Sequence, residues 1–153
     1  MEDRGDESDM PIPSEEEWGG YKADLDTEYA HRLFAGKTND DMQTAFEENV
    51  IERTDELRWM PKMPFQYYML GFKQFIENRA ENCDDRSDAA SCFIRLVAEK
   101  LKNTPDFILP ILDQLLPTVE YIVENQSPFD AEVSIYGNFS EIHKNILKLA
   151  CSF

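Results

Sequence analysis

Carboxylates are the commonest reactive groups in this sequence, with 31 aspartates and glutamates among 153 residues. Asp24, Asp26 and Glu28 alternate along the chain, which superficially matches the oxygen ligands that hard cations prefer. A calcium loop also needs a ladder of further ligands with a central glycine and a terminal glutamate, and that pattern is absent. The acidic residues within 84–88 lie beside a predicted helix start, where acidic side chains are common. We therefore predict no metal site and no cofactor.

Two other patterns of carboxylates bear on catalysis. Glu47 and Glu48 are adjacent, but neighbouring residues on a helix point about 100° apart, so these carboxylates do not face each other for acid–base chemistry. Glu28 and His31 match once the Glu-x-x-His pattern that binds metals inside helical bundles. The second motif of that pattern is missing, because a serine stands three residues before His143. A carboxylate-based metal or acid–base enzyme in a helical bundle is therefore kept as an alternative.

The three cysteines, Cys83, Cys92 and Cys151, would supply either a nucleophile or a disulfide framework. Their number is odd and no two of them have the CxxC spacing, so we predict reduced thiols rather than disulfides. Cys92 falls on the apolar face of a predicted helix, where buried thiols are common and unreactive. We expect neither a cysteine nor His31 to be needed for function, and we predict that the protein is not an enzyme.

The net charge of −16 narrows the classes of partner. A surface of this charge repels phosphate, so we exclude nucleic acids and anionic membranes as partners. The first residues lack the basic and apolar regions of a signal peptide, and the longest apolar stretch, residues 107–116, contains Pro110 and Asp113. We therefore expect a cytoplasmic protein whose partners are other proteins.

Apolar residues recur every third or fourth position along most of the chain, which predicts amphipathic helices, and no hairpin signal is visible. We predict an all-α fold, a single-domain bundle of six or seven helices over residues 14–153, joined by short loops. A disordered acidic tail, residues 1–13, precedes it. The predicted helices are 24–34, 40–59, 63–78, 88–102, 105–116, 118–125 and 140–150, after a short segment that begins at the Ser14–Glu17 capping box.

Capping residues and prolines predict where the helices begin and end. Ser87 and Ser140 precede apolar stripes and are the expected N-caps. Pro105 suits the first turn of a helix, and Pro117 is expected to divide the helical segment that follows. Residues 131–136 alternate weakly between apolar and polar, and we expect a loop there rather than a strand.

The apolar stripes also assign a core. Phe46, Phe72 and Phe93 lie on the stripes of three predicted helices and are expected to be buried. The stripe of helix 24–34 is Leu25, Tyr29 and Leu33, and the stripe of the last helix includes Leu147. The other face of helix 40–59 carries Asp40, Asp41, Glu47, Glu48, Glu52, Asp55 and Glu56. We interpret that face as solvated.

The stretch from Trp59 to Phe75 is unusually rich in methionine and aromatic residues. One interpretation is a core helix that is entered through a turn at Met63 and Pro64. The other is an exposed binding patch formed by Trp59, Tyr67 or Tyr68, because these side chains fall off the core stripe.

Four segments between residues 18 and 76 resemble the acidic immunity proteins of bacterial toxin–immunity systems. They are Trp18-Gly19-Gly20-Tyr21, Asp24-Leu25-Asp26, Leu33-Phe34-Ala35-Gly36-Lys37 and Met63-Pro64-Phe65-Gln66-Tyr67-Tyr68. The resemblance lies in composition and layout, and it assigns no role to any single residue. It implies a small bacterial protein that binds and neutralises a cognate toxin.

We therefore predict an acidic binding protein that covers a basic protein, with a cognate toxin acting on nucleic acid as the partner. Such a toxin is positive where its substrate binds, so a chain of charge −16 is steered to that surface. The predicted interface contains the acidic residues Asp24, Asp26, Glu28, Asp40, Asp41, Glu47 and Glu48 and the aromatic anchors Trp18, Tyr21 and Trp59. Two alternatives are a structural or adaptor protein of a mobile element, and acidic residues that only keep the chain soluble. The sequence leaves the oligomeric state open.

Overall fold

Residues 10–153 are described by a computed structural model, and every regular element within them is helical. In chain order the helices are α1 (Glu15–Trp18), α2 (Leu25–Phe34), α3 (Gln43–Glu48), α4 (Val50–Arg58), α5 (Lys62–Asn78), α6 (Arg86–Asn103), α7 (Pro105–Ile108), α8 (Leu112–Glu124), α9 (Val133–Tyr136) and α10 (Phe139–Ala150). Turns of 3-10 helix lie at Tyr21–Ala23, Ala80–Asn82 and Leu109–Ile111. Within this part of the chain six helices have nine residues or more, and the all-α prediction is confirmed.

Helix α5 runs through the centre of the bundle. All its residues from Pro64 to Phe72 are buried, as are Phe75 and Ile76. Helix α5 carries large apolar side chains on most of its circumference. Folding is therefore most favourable when neighbouring helices cover α5 on every side. Helices α1, α3, α4, α6, α7 and α8 pack against it. The interpretation of this stretch as a core helix is therefore correct, and Tyr67 and Tyr68 do not form an exposed patch.

Three phenylalanines join α3, α5 and α6 across the core. Phe46 stacks on Phe72 with ring centroids 5.0 Å apart, and Phe72 meets Phe93 edge to face at 5.2 Å. All three side chains are fully buried, as the apolar stripes predict. Such aromatic pairs add to the free energy of burial because their quadrupoles favour offset and edge-to-face contacts.

The predicted helix 40–59 is two helices, because Asn49 breaks it. The backbone of Asn49 is extended (φ −159°, ψ 81°), and its side-chain oxygen accepts a hydrogen bond from the N–H of Glu52 at 3.2 Å. Asn49 is thus the N-cap of α4, a position that asparagine favours. The apolar stripe survives the break, since all its predicted members are buried: Met42, Phe46, Val50 and Leu57.

Helix α2 is rotated from its predicted orientation. Leu25 is 82% exposed and Tyr29 is 45% exposed, whereas Ala30 and Phe34 are buried. The Tyr68 hydroxyl donates to the carbonyl oxygen of Phe34 at 2.6 Å, and this contact fixes the end of α2 against α5. The predicted stripe is therefore wrong at Leu25 and Tyr29, while Leu33 is partly buried and packs against the core. Leu147 on α10, also predicted to be buried, is exposed as well.

The prolines divide the chain at a different point from the predicted one. Pro105 begins α7, as predicted, but the break after it is the 3-10 turn Leu109–Ile111 that contains Pro110. Pro117 lies inside α8, which continues through it to Glu124. One missing backbone donor is tolerated there, because the apolar face of α8 packs on α5 and α6.

The chain ends and caps also differ from the predictions. Residues 1–9 of the predicted tail lie outside the described residues, but Met10 packs against the core and Pro13 is buried.

The Ser14–Glu17 capping box is present. Asp85 and Asn138, instead of the two predicted serines, occupy the N-cap positions of α6 and α10, and residues 133–136 form a single helical turn instead of a loop.

Lys100 is a charged side chain in the interior, and it closes the end of α4. Its ammonium group donates to the carbonyl oxygen of Arg58 at 2.8 Å and lies 4.8 Å from the ring centroid of Phe65 and 4.9 Å from that of Phe107. Burial lowers the pKa of Lys100 from its ordinary value. The ammonium group thus donates a hydrogen bond to a carbonyl group that has no partner within α4. Its positive charge is stabilised by the negative end of the dipole of α4.

Gly71 allows the loop before α3 to approach the middle of α5. A Cβ atom at this position would overlap the side-chain amide of Asn39 and lie 2.6 Å from its Cγ atom. Asn39 is itself held, because its amide nitrogen donates to the carbonyl oxygen of Tyr67 at 2.9 Å. The side-chain amide of Gln43 adds a hydrogen bond to the carbonyl oxygen of Gly71 at 3.0 Å. The loop and the helix therefore fit only while residue 71 has no side chain.

Replacing Phe72 with alanine tests the core. We expect Phe72→Ala to lower the free energy of unfolding by about 3–5 kcal/mol, because the truncated ring leaves a cavity among its aromatic neighbours. Leu25→Ala, at a side chain that is 82% exposed, is the control and should change it by about 0.5 kcal/mol at most. Chemical denaturation gives both values. Similar losses in the two variants would contradict this assignment of the core.

Replacing Gly71 with alanine tests the contact between the loop and α5. We expect Gly71→Ala to destabilise the fold by about 1–3 kcal/mol, although alanine is the better helix former, because Asn39 cannot move without losing its bond. Gly20→Ala, where no atom lies within 4 Å of the added Cβ, should be nearly neutral. Adding Asn39→Ala to Gly71→Ala should recover stability in thermal melts. A stabilised single variant would rule out the steric conflict.

Candidate functional site

A cleft of about 260 Å³ opens between α2 and α4. It is lined by four acidic and two aromatic residues: Asp26, Tyr29, Glu52, Asp55, Glu56 and Trp59. We call it the α2–α4 cleft. Two of the predicted interface residues, Asp26 and Trp59, lie in it.

The sequence of α4 supplies one wall of the cleft. Glu52, Asp55, Glu56 and Trp59 follow one another at the spacing that places residues on a single helix face. The other wall comes from α2, which begins at its N-cap Asp24. The Thr27 hydroxyl donates to the carbonyl oxygen of Trp59 at 3.1 Å and ties the two walls together.

Two aromatic side chains stand half exposed at the cleft. Tyr29 has 45% of its surface exposed and Trp59 has 49%. The rotation of α2 that exposes Tyr29 also exposes Leu25, one helical turn before it. The guanidinium carbon of Arg32 lies 5.8 Å from the centre of the Tyr29 ring, so one face of that ring already attracts a cation. Exposed aromatic rings of this kind are typical anchors of protein interfaces.

The carboxylates of the cleft are unequally paired. Buried Glu56 accepts two hydrogen bonds from the Arg53 guanidinium, at 2.6 Å and 2.9 Å. Asp55 pairs with Arg58, and Glu52 lies 3.3 Å from Arg53. Among the described residues no cation pairs with Asp26. Three of the four carboxylates thus pair with two arginines, of which Arg58 also binds Glu99, and the cleft keeps an excess of negative charge.

Burial shifts the pKa of Glu56. It raises the pKa of this carboxyl group from its ordinary value of 4.5, although the Arg53 guanidinium acts in the opposite direction. The group is the deepest carboxylate of the cleft, and its side chain is 4% exposed. Its two bonds to Arg53 hold the floor of the cleft in a fixed position.

The other predicted acidic residues do not join this cleft. Asp40 accepts a hydrogen bond from the side-chain amide of Gln74 at 2.7 Å, and Glu47 pairs with Arg79 at 3.2 Å, so both face the end of α5. Asp24 is exposed at the start of α2 and, like Glu28 and Glu48, it does not line the cleft. The single acidic face that the sequence predicts is thus divided between two surfaces.

Asp41 has a local structural role. It accepts a hydrogen bond from the N–H of Thr38 at 3.0 Å, and its own N–H donates to the Thr38 hydroxyl at 3.0 Å. Hydrogen bonds from the backbone and the side chain of Thr38 lower the pKa of Asp41 from its ordinary value of 3.8. This carboxylate therefore fixes the turn before α3.

Two of the three predicted aromatic anchors pack against His31 within the fold. Trp18 is 1% exposed and packs against Tyr68 and the ring of His31. Tyr21 is half-buried and stacks on His31 with ring centroids 3.6 Å apart. Both attach the N-terminal segment to the rest of the bundle, and Trp59 is the most exposed of the three predicted anchors.

The groups considered for catalysis are dispersed. His31 binds Glu15 at 2.8 Å, stacks on the Tyr21 ring and meets the Trp18 ring edge to face. Within residues 10–153 no group of three or more His, Cys, Asp or Glu side chains is placed to hold a metal ion. Burial raises the pKa of the Cys92 thiol and keeps this thiol protonated at neutral pH.

Comparison of the chain with protein families, with curated proteins and with solved structures gives no match in any of the three. No helix in the described residues is both long enough and apolar enough to cross a membrane. The α2–α4 cleft must therefore be interpreted from its own residues.

Sequence reasoning missed four residues of the cleft. Tyr29 was assigned to the core, and Glu52, Asp55 and Glu56 were assigned to a solvated helix face. One signal was present: the spacing of the three acidic residues and Trp59 places them on one side of α4. Their position opposite Asp26 and Tyr29 depends on the rotation of α2, which the sequence does not show.

Titration of two carboxyl groups tests these electrostatics. We expect Glu56 to release its proton above pH 4.5 and Asp41 below pH 3.8. Protonated Glu56 then stabilises the folded state below pH 4.5, and this stability is lost as the pH rises through the pKa of Glu56 in the folded state. Ionised Asp41 stabilises the folded state above pH 3.8, and this stability is lost as the pH falls through the pKa of Asp41 in the folded state. NMR titration of the side-chain carboxyl carbons measures both midpoints, and Glu56→Gln and Asp41→Asn assign the signals. A Glu56 midpoint below 4.5 would show that Arg53 outweighs burial.

Proposed function

We propose that this protein is an acidic binding protein that holds and blocks a basic protein, as an immunity protein blocks its toxin. The observation that carries the proposal is the α2–α4 cleft, where two half-exposed aromatic rings lie beside an excess of carboxylates. This combination suits a lysine or arginine side chain, because the aromatic face attracts the cation and the carboxylates accept its hydrogen bonds.

The charge of the whole chain supports a basic partner. At −16, the protein attracts positive surfaces over a distance of about 10 Å at moderate salt, which speeds the encounter. Rim charges mainly set the rate of association, whereas a few buried aromatic anchors set the lifetime of the complex. In this proposal Asp26, Glu52 and Asp55 guide the partner, and Trp59 and Tyr29 retain it.

A toxin that acts on nucleic acid is the partner class with the matching chemistry. Such a protein must be positive where the phosphate backbone binds, and that surface is the one an acidic protein covers. Covering it blocks the substrate without any catalytic group on the inhibitor. Residues 18–76, which resemble immunity proteins, contain the whole α2–α4 cleft.

Neutralisation of a toxin tests the proposed function directly. The most basic protein encoded beside this gene is expressed alone and together with this chain in bacteria, and growth is measured. We expect growth arrest that this chain relieves, because the complex covers the surface that binds the toxin's substrate. Arrest that persists at excess of this chain, or no arrest by the neighbouring protein, would overturn the proposal.

Charge reversal distinguishes the effect of the carboxylates in the cleft on association from the effect of the net charge of the protein. We expect the triple variant Asp26→Lys, Glu52→Lys, Asp55→Lys to slow association with that partner and to weaken its salt dependence. The matched control Asp113→Lys, Glu120→Lys, Glu124→Lys reverses three exposed acids on α8 and changes the net charge equally. Stopped-flow association from low to moderate salt compares them. Equal rates for the two triple variants would remove the cleft from the mechanism.

Truncation of Trp59 tests retention of the partner. We expect Trp59→Ala to raise the dissociation rate by about tenfold or more, since an interface anchor contributes about 2 kcal/mol or more. Phe153→Ala removes another exposed aromatic side chain and should leave the rate unchanged. Surface plasmon resonance gives both rates. An unchanged lifetime for the Trp59 variant would exclude this residue as the anchor.

A further inference from the structure

A second concave surface, of about 710 Å³, lies between the start of α6 and the loop that follows α8. We call it the loop groove. It shares no lining residue with the α2–α4 cleft. Its volume falls within the range of about 300–1,000 Å³ that is typical of ligand sites.

The loop groove exposes two aliphatic side chains. Val133 is 55% exposed and Ile135 is 70% exposed, and both line the groove from helix α9. Both are β-branched and therefore rigid at χ1, so a ligand that covers them immobilises few new rotamers. Their contact with water is unfavourable, and a partner that buries them gains free energy.

Side-chain hydrogen bonds hold the loop around the groove in place. The Gln126 amide nitrogen donates to the carbonyl oxygens of Ala131 at 2.9 Å and Gly137 at 2.7 Å, and its oxygen accepts from the N–H of Phe139 at 3.0 Å. Phe129 within the loop is fully buried. The loop is thus anchored at both ends and in its middle.

Helix α6 fixes the far end of α9. The Tyr136 hydroxyl donates to Asp88 at 2.9 Å and lies 3.0 Å from the Ser87 hydroxyl, and the Arg95 guanidinium donates to the carbonyl oxygen of Tyr136. The groove therefore exists before any ligand binds, and little ordering opposes binding.

The charged groups that line the groove are carboxylates. Asp130 and Glu132 are exposed there, and no lysine, arginine or histidine is among its described lining residues. Two arginines lie beside the groove: Arg86, which lies 3.9 Å from Asp130 and donates to the carbonyl oxygen of Cys83, and Arg95, which donates to the carbonyl oxygen of Tyr136. Asp130 has a positive φ of 61°, a conformation that few side chains adopt and that aspartate tolerates.

We propose that the loop groove is a docking site for a peptide segment in which large aliphatic side chains alternate with lysine or arginine. The aliphatic side chains cover Val133 and Ile135, and the cations pair with Asp130 and Glu132. A second copy of this chain fits less well, because two molecules of charge −16 repel each other and each would bring carboxylates to carboxylates.

Peptide binding followed by NMR tests the proposal with the full chain. The probe is an acetylated and amidated peptide of sequence Lys-Leu-Lys-Leu-Lys, and its two counterparts replace leucine with serine or lysine with glutamate. We expect saturable shifts of the backbone amides in residues 126–137 with the probe. Both counterparts should bind about tenfold more weakly or worse, because each lacks one half of the recognised chemistry.

Paired variants locate the binding surface. We expect the double variant Val133→Ser, Ile135→Ser to weaken binding of the probe about tenfold or more, while Ile51→Ser, at an exposed aliphatic side chain outside both concave surfaces, keeps the affinity of the parent chain. Circular dichroism establishes that each variant is folded. Equal affinity in the double variant, shifts confined to the α2–α4 cleft, or no binding would overturn the proposal. Concentration-dependent self-association that the double variant loses would also overturn it, in favour of a second copy.

Discussion

Covering helix α5 is the constraint on which this structure depends. A helix that is apolar nearly all round cannot lie at a surface, so six other helices must enclose it. Short segments such as α1 and α7 meet this need where a long helix would not fit. Because the backbone of α5 bonds within its own helix, the enclosure leaves few polar groups to satisfy, and Tyr68 uses its hydroxyl to fix the end of α2.

The same constraint explains where the acidic residues are found. Apolar side chains take up the interior, so most carboxylates are left on the outer faces of the covering helices, where they repel one another. Arginines relieve this repulsion locally, as Arg53 does for Glu56 and Arg79 for Glu47. At the α2–α4 cleft the compensation is incomplete, and this local excess distinguishes the cleft from an evenly solvated surface.

The spacing of apolar residues predicted the helices whose orientation depends only on burying an apolar face. Phe72 on α5 and Phe93 on α6 were predicted as core residues and are fully buried, while Cys92 on the apolar face of α6 is partly buried. Helix α2 was misassigned because Leu25, Tyr29 and Leu33 form a regular stripe, while the face that packs is that of Ala30 and Phe34, whose ring contacts those of Phe46 and Tyr68. The break at Asn49 was missed because it interrupts the backbone without interrupting the apolar stripe. Of the residues that line the candidate site, the sequence predicted Asp26 and Trp59. The other four could be assigned to the site only from the way α2 packs on α4.

The close approach at Gly71 links two positions that are 32 residues apart in sequence. In any descendant or relative with this packing, a side chain at position 71 and an asparagine at position 39 exclude each other. Mutations that enlarge residue 71 should therefore be accepted only after residue 39 has become smaller, so the order of the two changes is constrained. Residues 39 and 71 should therefore covary in an alignment of relatives. Their covariation would identify this fold even in relatives whose overall sequence similarity is low.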